Sequence, residues 1–179
     1  MYFCNMFSKG IYLITILSVF IFACEESSQT TIKEDGTFDI VIEQKAGDDY
    51  SYESGEDTKF YMNYPFHFGY VRGFNSETVK CIVLSKSLSA SSRITAKPIG
   101  LINTLEQGSK ISYIIAIPSD VDQRNLELDN FSDLATKYSS VKNIIEFWLL
   151  NRCGLGCVKN EGWGNEKAAE FVLEKLKET

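Results

Sequence analysis

Two apolar runs, Pro98–Ile102 and Ile111–Ile117, flank a polar connector that contains Gly108. Isoleucine recurs in both and Tyr113 joins the second, so each run predicts a strand with a turn between them. Nearly every position is apolar, which predicts burial on both faces. Elsewhere the pattern is one-sided. Phe38, Ile40 and Ile42 alternate with Asp39, Val41 and Glu43, predicting a strand over Thr37–Glu43 with one apolar face. Ala46–Asp49 reads as a turn, Tyr50–Glu53 as the start of a return strand, and residues 54–57 as a tight polar connection. Phe60–Val71 is dense in aromatic rings, which favours core. Its proline belongs at a strand edge or bulge, and its glycine allows close backbone approach. A loop at Gly73–Glu77 leads to a strand at Val79–Leu84. Ser85–Ser92 reads as a surface connection, Arg93–Ile102 as a central strand, and Ser119–Asp129 as a crossing loop.

The last third changes period. Asn130 can cap a short turn through Tyr138. Val141, Ile144, Ile145, Trp148 and Leu149 then recur at helical spacing as one apolar stripe, stopped by Gly154 and Gly156. Asn165 caps a last helix whose stripe is Ala168, Phe171, Val172 and Leu176. Strands first and helices last predict an α+β fold with a barrel or strongly curled sheet.

The N-terminus carries a different signal. Lys9 precedes an uncharged apolar run, Gly10–Phe22, which is short of the roughly 20 residues that span a bilayer. The run ends in Ile21-Phe22-Ala23-Cys24, which resembles a bacterial lipobox. This divides the chain into a lipoprotein signal peptide (1–23), a polar tether beginning at a lipidated Cys24 (24–36), and one domain (37–179). The implied location is the bacterial cell envelope, anchored to the outer membrane on its periplasmic or surface face. An ordinary signal peptide or an uncleaved anchor is the alternative.

Charge and cysteine content narrow the chemistry. A formal charge of −6 opposes binding to phosphate backbones, so nucleic acid is not an expected partner. His67 is the only histidine, and no zinc-ligand spacing surrounds it, so it reads as structural. Cys153-Gly-Leu-Gly-Cys157 could close a disulfide in an envelope protein. Because short loops strain that bond, two free buried thiols are the expectation there.

Several blocks resemble the soluble (family I) inorganic pyrophosphatases. Tyr64-Pro-Phe-His-Phe-Gly-Tyr70 is similar to that family's tyrosine-proline…tyrosine-glycine segment. Lys97-Pro-Ile-Gly100 through Ala116-Ile-Pro118 resembles its central strand pair. Val158-Lys-Asn-Glu-Gly-Trp163 with the Ala168–Ala169 helix resembles its C-terminal signature. Val141–Gly156 looks like Bacteroidetes lipoprotein members. The resemblance spans about residues 37–177 and implies a small OB-like β-barrel with C-terminal helices packed on it. It also implies Mg²⁺-dependent hydrolysis of pyrophosphate to phosphate, with carboxylates holding the metal and Lys, Arg and Tyr donors clamping the phosphates.

The family's metal-binding pattern is altered here. Its Asp-x-Asp-x-x-Asp cluster corresponds to Asn75-Ser-Glu77-Thr-Val-Lys80. The connector aspartates correspond to Glu106 and Ile111, and the connector lysine to Tyr113. A hairpin lysine corresponds to Ser51, a clamp tyrosine to Phe68, and a late tyrosine-lysine pair to Arg152-Cys153. The resemblance leaves Glu77 and Tyr64 as candidate catalytic residues, and Glu53, Lys59 and Arg152 as candidate substrate-binding residues. Glu106, Asn75 and Glu43 remain as weak, vestigial metal ligands. Lys80 is expected to fill the vacated metal position and pair with Glu43, Glu53, Glu77 or Glu106. Two readings follow: a pseudoenzyme or binding module with an eroded Mg²⁺ site, or an active divergent diphosphatase. Mg²⁺ and pyrophosphate, or another small phosphate, belong to the second; the first needs no cofactor. Homo-oligomerisation stays open.

Overall fold

The structure, a computed structural model, describes residues 32–54, 58–74, 77–154 and 156–178, without the side chains of 53–60. The expected signal peptide, Cys24, Asn75 and the connection at 55–57 lie outside the described residues. The strands are β1 (Phe38–Gln44), β2 (Asp49–Ser54), β3 (Thr58–Asn63), β4 (His67–Val71), β5 (Val79–Val83), β6 (Arg93–Glu106) and β7 (Ser109–Pro118). Helices α1 (Phe131–Thr136) and α2 (Ser139–Asn151) follow, then β8 (Val158–Asn165) and α3 (Glu166–Leu176). β8 interrupts the expected order of strands then helices. Its sequence lacks apolar alternation because only Val158 in it is fully buried.

The two central runs form one long hairpin. β6 continues past Ile102 to Glu106, and the expected connector shrinks to Gln107-Gly108. Both turn residues have positive φ, 50° and 87°, the backbone of a two-residue hairpin turn whose twist matches its strands. Pairing holds Thr104 opposite Ile111 and Glu106 opposite Ser109, so these polar side chains stand on a strand rather than on a loose loop.

β1 closes the sheet by pairing with both β4 and β6, around the order β1-β4-β5-β7-β6, with β5 and β7 parallel. The result is the expected OB-like barrel, with β8 added along β6 and β2–β3 as a separate hairpin. The central hairpin is buried on both faces, as its pattern predicts. Leu101, Ile114 and Ala116 point into the barrel with Phe38, Ile40 and Cys81. Ile99, Ile102, Tyr113, Ile115 and Ile117 point out, beneath Ile145, Trp148 and Leu149 of α2. Gly69 meets the expectation of close approach: a Cβ there would collide with the Val41 carbonyl oxygen.

The helix caps are as read from sequence. The Asn130 side chain accepts from the Asp133 amide at 3.0 Å, and that of Asn165 from the Ala168 amide at 3.2 Å. The buried faces are narrower or rotated. In α2, Ile144 leaves the stripe and is 48% exposed. In α3, Phe171 is 56% exposed, while Ala169 and Leu173 are buried. The barrel wall is wide enough to cover one face of each helix, and the flank of each stripe stays in solvent.

Candidate active site

A cleft of about 520 Å³ opens where the far end of the central hairpin meets the end of α2 and the start of β8. Glu77, Lys80, Glu106 and Arg152 line it, with Tyr50, Tyr52, Gln107, Ser109 and the apolar Ile111 and Val158. Each comes from a different local cause. Glu106 ends β6, Lys80 sits in β5 opposite Tyr113, and Arg152 caps the C-terminus of α2.

Both oxygens of Glu106 accept hydrogen bonds. Its Oε1 accepts from the Tyr113 hydroxyl at 2.9 Å and from the Thr104 hydroxyl at 3.0 Å. Its Oε2 accepts from Nη2 of Arg152, which also donates to the Tyr113 hydroxyl at 2.6 Å. The Arg152 and Glu106 side chains are only 11% and 14% exposed. The guanidinium carbon stands 5.5 Å from the ring centres of both Tyr113 and Trp148, so the cation also faces two aromatic rings. Burial works to lower the Arg152 pKa, but the adjoining Tyr113 and Glu106 outweigh it and hold the pKa above its ordinary value. Burial pushes the Tyr113 hydroxyl far above the usual tyrosine range. Tyr113 is therefore a neutral bridge in this triad.

Lys80 lines the same cleft, but no ion pair joins it to Glu43, Glu77 or Glu106. Glu53, the fourth expected partner of Lys80, has its side chain outside the described residues. The cation on Glu106 is Arg152 and not the expected Lys80. The reason is reach: Arg152 emerges from α2 directly over the end of β6, where its planar fork can serve a carboxylate and a hydroxyl together.

The other candidates separate. Glu77 is exposed at the cleft. Glu43 occupies the irregularity between Ile42 and Gln44 in β1, is exposed, and does not line the cleft. Tyr64 also stays outside it, in an aromatic cluster with ring centres 5.4 Å from Tyr50, 5.0 Å from Phe68 and 5.1 Å from Trp148. Burial raises its pKa, so its hydroxyl is a weaker acid than usual. Neither Glu43 nor Tyr64 joins Glu106 as the resemblance implies. Glu53 and Lys59 face each other in the β2–β3 register, and their side chains lie outside the described residues. His67 is structural as expected. Its Nδ1 accepts from the Ala46 amide at 3.2 Å and its Nε2 lies 2.9 Å from the Lys86 carbonyl, which assigns the proton to Nε2.

Two features escape the sequence reading. Thr104 and Tyr113 donate to Glu106, although Thr104 lies in the stretch that reads as a polar connector and Tyr113 in one that reads as core. Cys153 and Cys157 form a disulfide, with Cα atoms 6.0 Å apart, in place of the expected free thiols. Gly154 and Gly156 take φ of 93° and 80° in that short loop, backbone that glycine adopts without a Cβ clash.

A closed OB-like barrel with an ionised cleft at the end of its longest hairpin places this chain among α+β proteins of pyrophosphatase-like fold. Residues 55–179 match the family described as inorganic pyrophosphatase, and the chain belongs to that family. Inorganic pyrophosphatase 1 of Pseudomonas syringae pv. tomato (strain ATCC BAA-871 / DC3000) is 27% identical over 120 residues, covering 64% of this chain and 68% of the relative. The inorganic pyrophosphatase of Neisseria gonorrhoeae superimposes with a TM-score of 0.65 at 19% identity, over 80% of this chain and 90% of that one. The Helicobacter pylori enzyme gives 0.61 at 20% identity, over 84% and 96%.

Mg²⁺, which the family resemblance implies, asks for several oxygen ligands in near-octahedral order. The described residues do not fit it. Glu106 has both oxygens committed, Ile111 offers none, and Lys80 brings a positive charge to the same walls. No group of three or more acidic, histidine or cysteine side chains suited to a metal occurs among the described residues. A cation as close as Arg152 repels a metal by about 4 kcal/mol per unit charge at about 4 Å and an effective dielectric near 20.

Proposed function

We propose that this chain is a pyrophosphatase-family pseudoenzyme, a binding module whose cleft has exchanged metal-dependent hydrolysis for a resident ion network. The observation that carries this reading is the commitment of Glu106 to Arg152, Tyr113 and Thr104. A carboxylate whose charge is met by a guanidinium and whose oxygens both already accept hydrogen bonds is a poor ligand for a divalent metal. The module is held at the bacterial envelope through a lipid on Cys24, a part of the proposal that rests on the Ile21–Cys24 sequence alone. Radiolabelled palmitate incorporated by the wild type but not by Cys24→Ala, expressed in a bacterial host, supports the anchor; equal labelling removes it.

Convergence of Glu77, Lys80, Glu106 and Arg152 on one cleft supports a second reading, a divergent diphosphatase acting on pyrophosphate. Phosphate release decides between them. The protein without its leader is assayed with pyrophosphate and excess Mg²⁺ or Mn²⁺, beside a Glu77→Gln, Tyr64→Phe variant. Turnover no greater than the variant's, from folded protein, supports the binding module. Metal-dependent turnover that the variant loses establishes the diphosphatase.

A further inference from the structure

The disulfide and the ion pair belong to one closed ring of contacts. Arg152 immediately precedes Cys153, and Val158 immediately follows Cys157. Val158 pairs with Glu106 in the β6–β8 register, and Glu106 accepts from Arg152. The path therefore runs from Glu106 across the sheet to Val158, through the disulfide to Arg152, and back to Glu106. We infer that the Cys153–Cys157 disulfide is a redox-controlled brace that holds Arg152 on Glu106 and so sets the charge state of the cleft. This regulation rests on the reading of Glu106 as a carboxylate neutralised from within the chain.

Two observations support it. Arg152 lies at the C-cap of α2, its amide making the bond to the Trp148 carbonyl at 3.0 Å, and the next residues include Gly154 and Gly156 at positive φ. A glycine-containing loop at a helix end has high conformational freedom when open, so the cross-link supplies the order that the guanidinium position needs. Both sulfurs also belong to cleft-lining residues that are only half-buried, within reach of a small reductant. The remaining described thiol, Cys81, is fully buried inside the barrel and is sheltered from exchange with them.

Opening the brace takes a dithiol. One thiolate attacks a sulfur of the disulfide, the Cys153–Cys157 bond breaks, and a mixed disulfide forms. The second thiol of the reagent displaces the other cysteine, leaving two protein thiols and the reagent as a cyclic disulfide. Two electrons and two protons pass to the protein. Arg152 then leaves Glu106, whose Oε2 loses its charged partner.

The test follows the guanidinium directly. In ¹⁵N spectra of oxidised protein, Arg152 should show resolved, slowly rotating Nη groups. Reduction with dithiothreitol, or a Cys153→Ser, Cys157→Ser variant, should collapse them and speed exchange of their protons by about tenfold or more. Arg124, which donates to the Pro118 carbonyl at 2.7 Å and pairs with Asp129, is the internal control and should not change. Unchanged Arg152 signals in reduced, folded protein overturn the brace. Resolved signals lost in Glu106→Gln but kept on reduction assign the hold to the ion pair alone and also overturn it. Pyrophosphate turnover by the oxidised sample would instead sink the pseudoenzyme reading, and the two failures are read from different signals.

Discussion

Arg152 and Glu106 lie 46 positions apart and meet as a nearly buried ion pair at the mouth of the barrel, with the Tyr113 hydroxyl bonded to both. One residue ends a helix and the other ends a strand, so the pair ties the helical layer to the barrel. Removing one partner leaves the other charge in a poorly solvated place. Arg152→Met should cost about 3 kcal/mol, read from urea unfolding midpoints. Adding Glu106→Gln should recover part of that loss, because no unpaired charge then remains. Additive losses in the double variant would show that the two side chains are not coupled.

Tyr113 gives a pH signature. Its folded pKa is raised above the unfolded value, chiefly by burial, so the folded state retains a proton that the unfolded state releases. Stability from this group is complete below about pH 10 and falls as pH rises beyond it. Unfolding free energies between pH 9 and 11 should decline more steeply for the wild type than for Tyr113→Phe. Equal slopes would mean that the buried hydroxyl is not linked to folding.

His67 acts at the opposite end. Burial depresses its pKa, so the unfolded chain takes up a proton below about pH 6.5 that the folded chain refuses. Stability is complete above that point and declines as pH falls toward the folded pKa. As the single histidine, its ring proton resonance can be followed without ambiguity. The titration midpoint should lie below about 6.5, and a midpoint at or above that would contradict the burial of the ring.

The disulfide closes a short loop, for which the loop-entropy relation gives a contribution of about 2 kcal/mol. The Cys153→Ser, Cys157→Ser variant should unfold at correspondingly lower urea than the oxidised wild type. Dithiothreitol should lower the wild type to the level of the variant and leave the variant itself unchanged. A reduced wild type still as stable as the oxidised one would remove the loop from the stability of this end of the fold.

Gly69 tests the barrel seam. A methyl group there would drive into the Val41 carbonyl on the adjoining strand, so Gly69→Ala should lose the β1–β4 pairing or much of the fold. Near-native circular dichroism and melting for that variant would place the seam differently.

Much of this protein is legible along the chain. Isoleucine runs on both sides of Gly108 determine a doubly buried hairpin, because no solvent-facing arrangement accommodates them. Asn130 and Asn165 determine two helix starts through bonds only three residues long. What the chain alone does not decide is which helical face meets the barrel, and Phe171 and Ile144 end in solvent despite apolar spacing. Nor does it decide which cation meets Glu106. Lys80 is nearer in sequence, but the partner is set by where α2 ends, and that depends on the packing of Ile145, Trp148 and Leu149 against the central hairpin. Short-range patterns record backbone preference and burial, whereas the chemistry of the cleft arises from charges brought together over long separations by the packing of the whole domain.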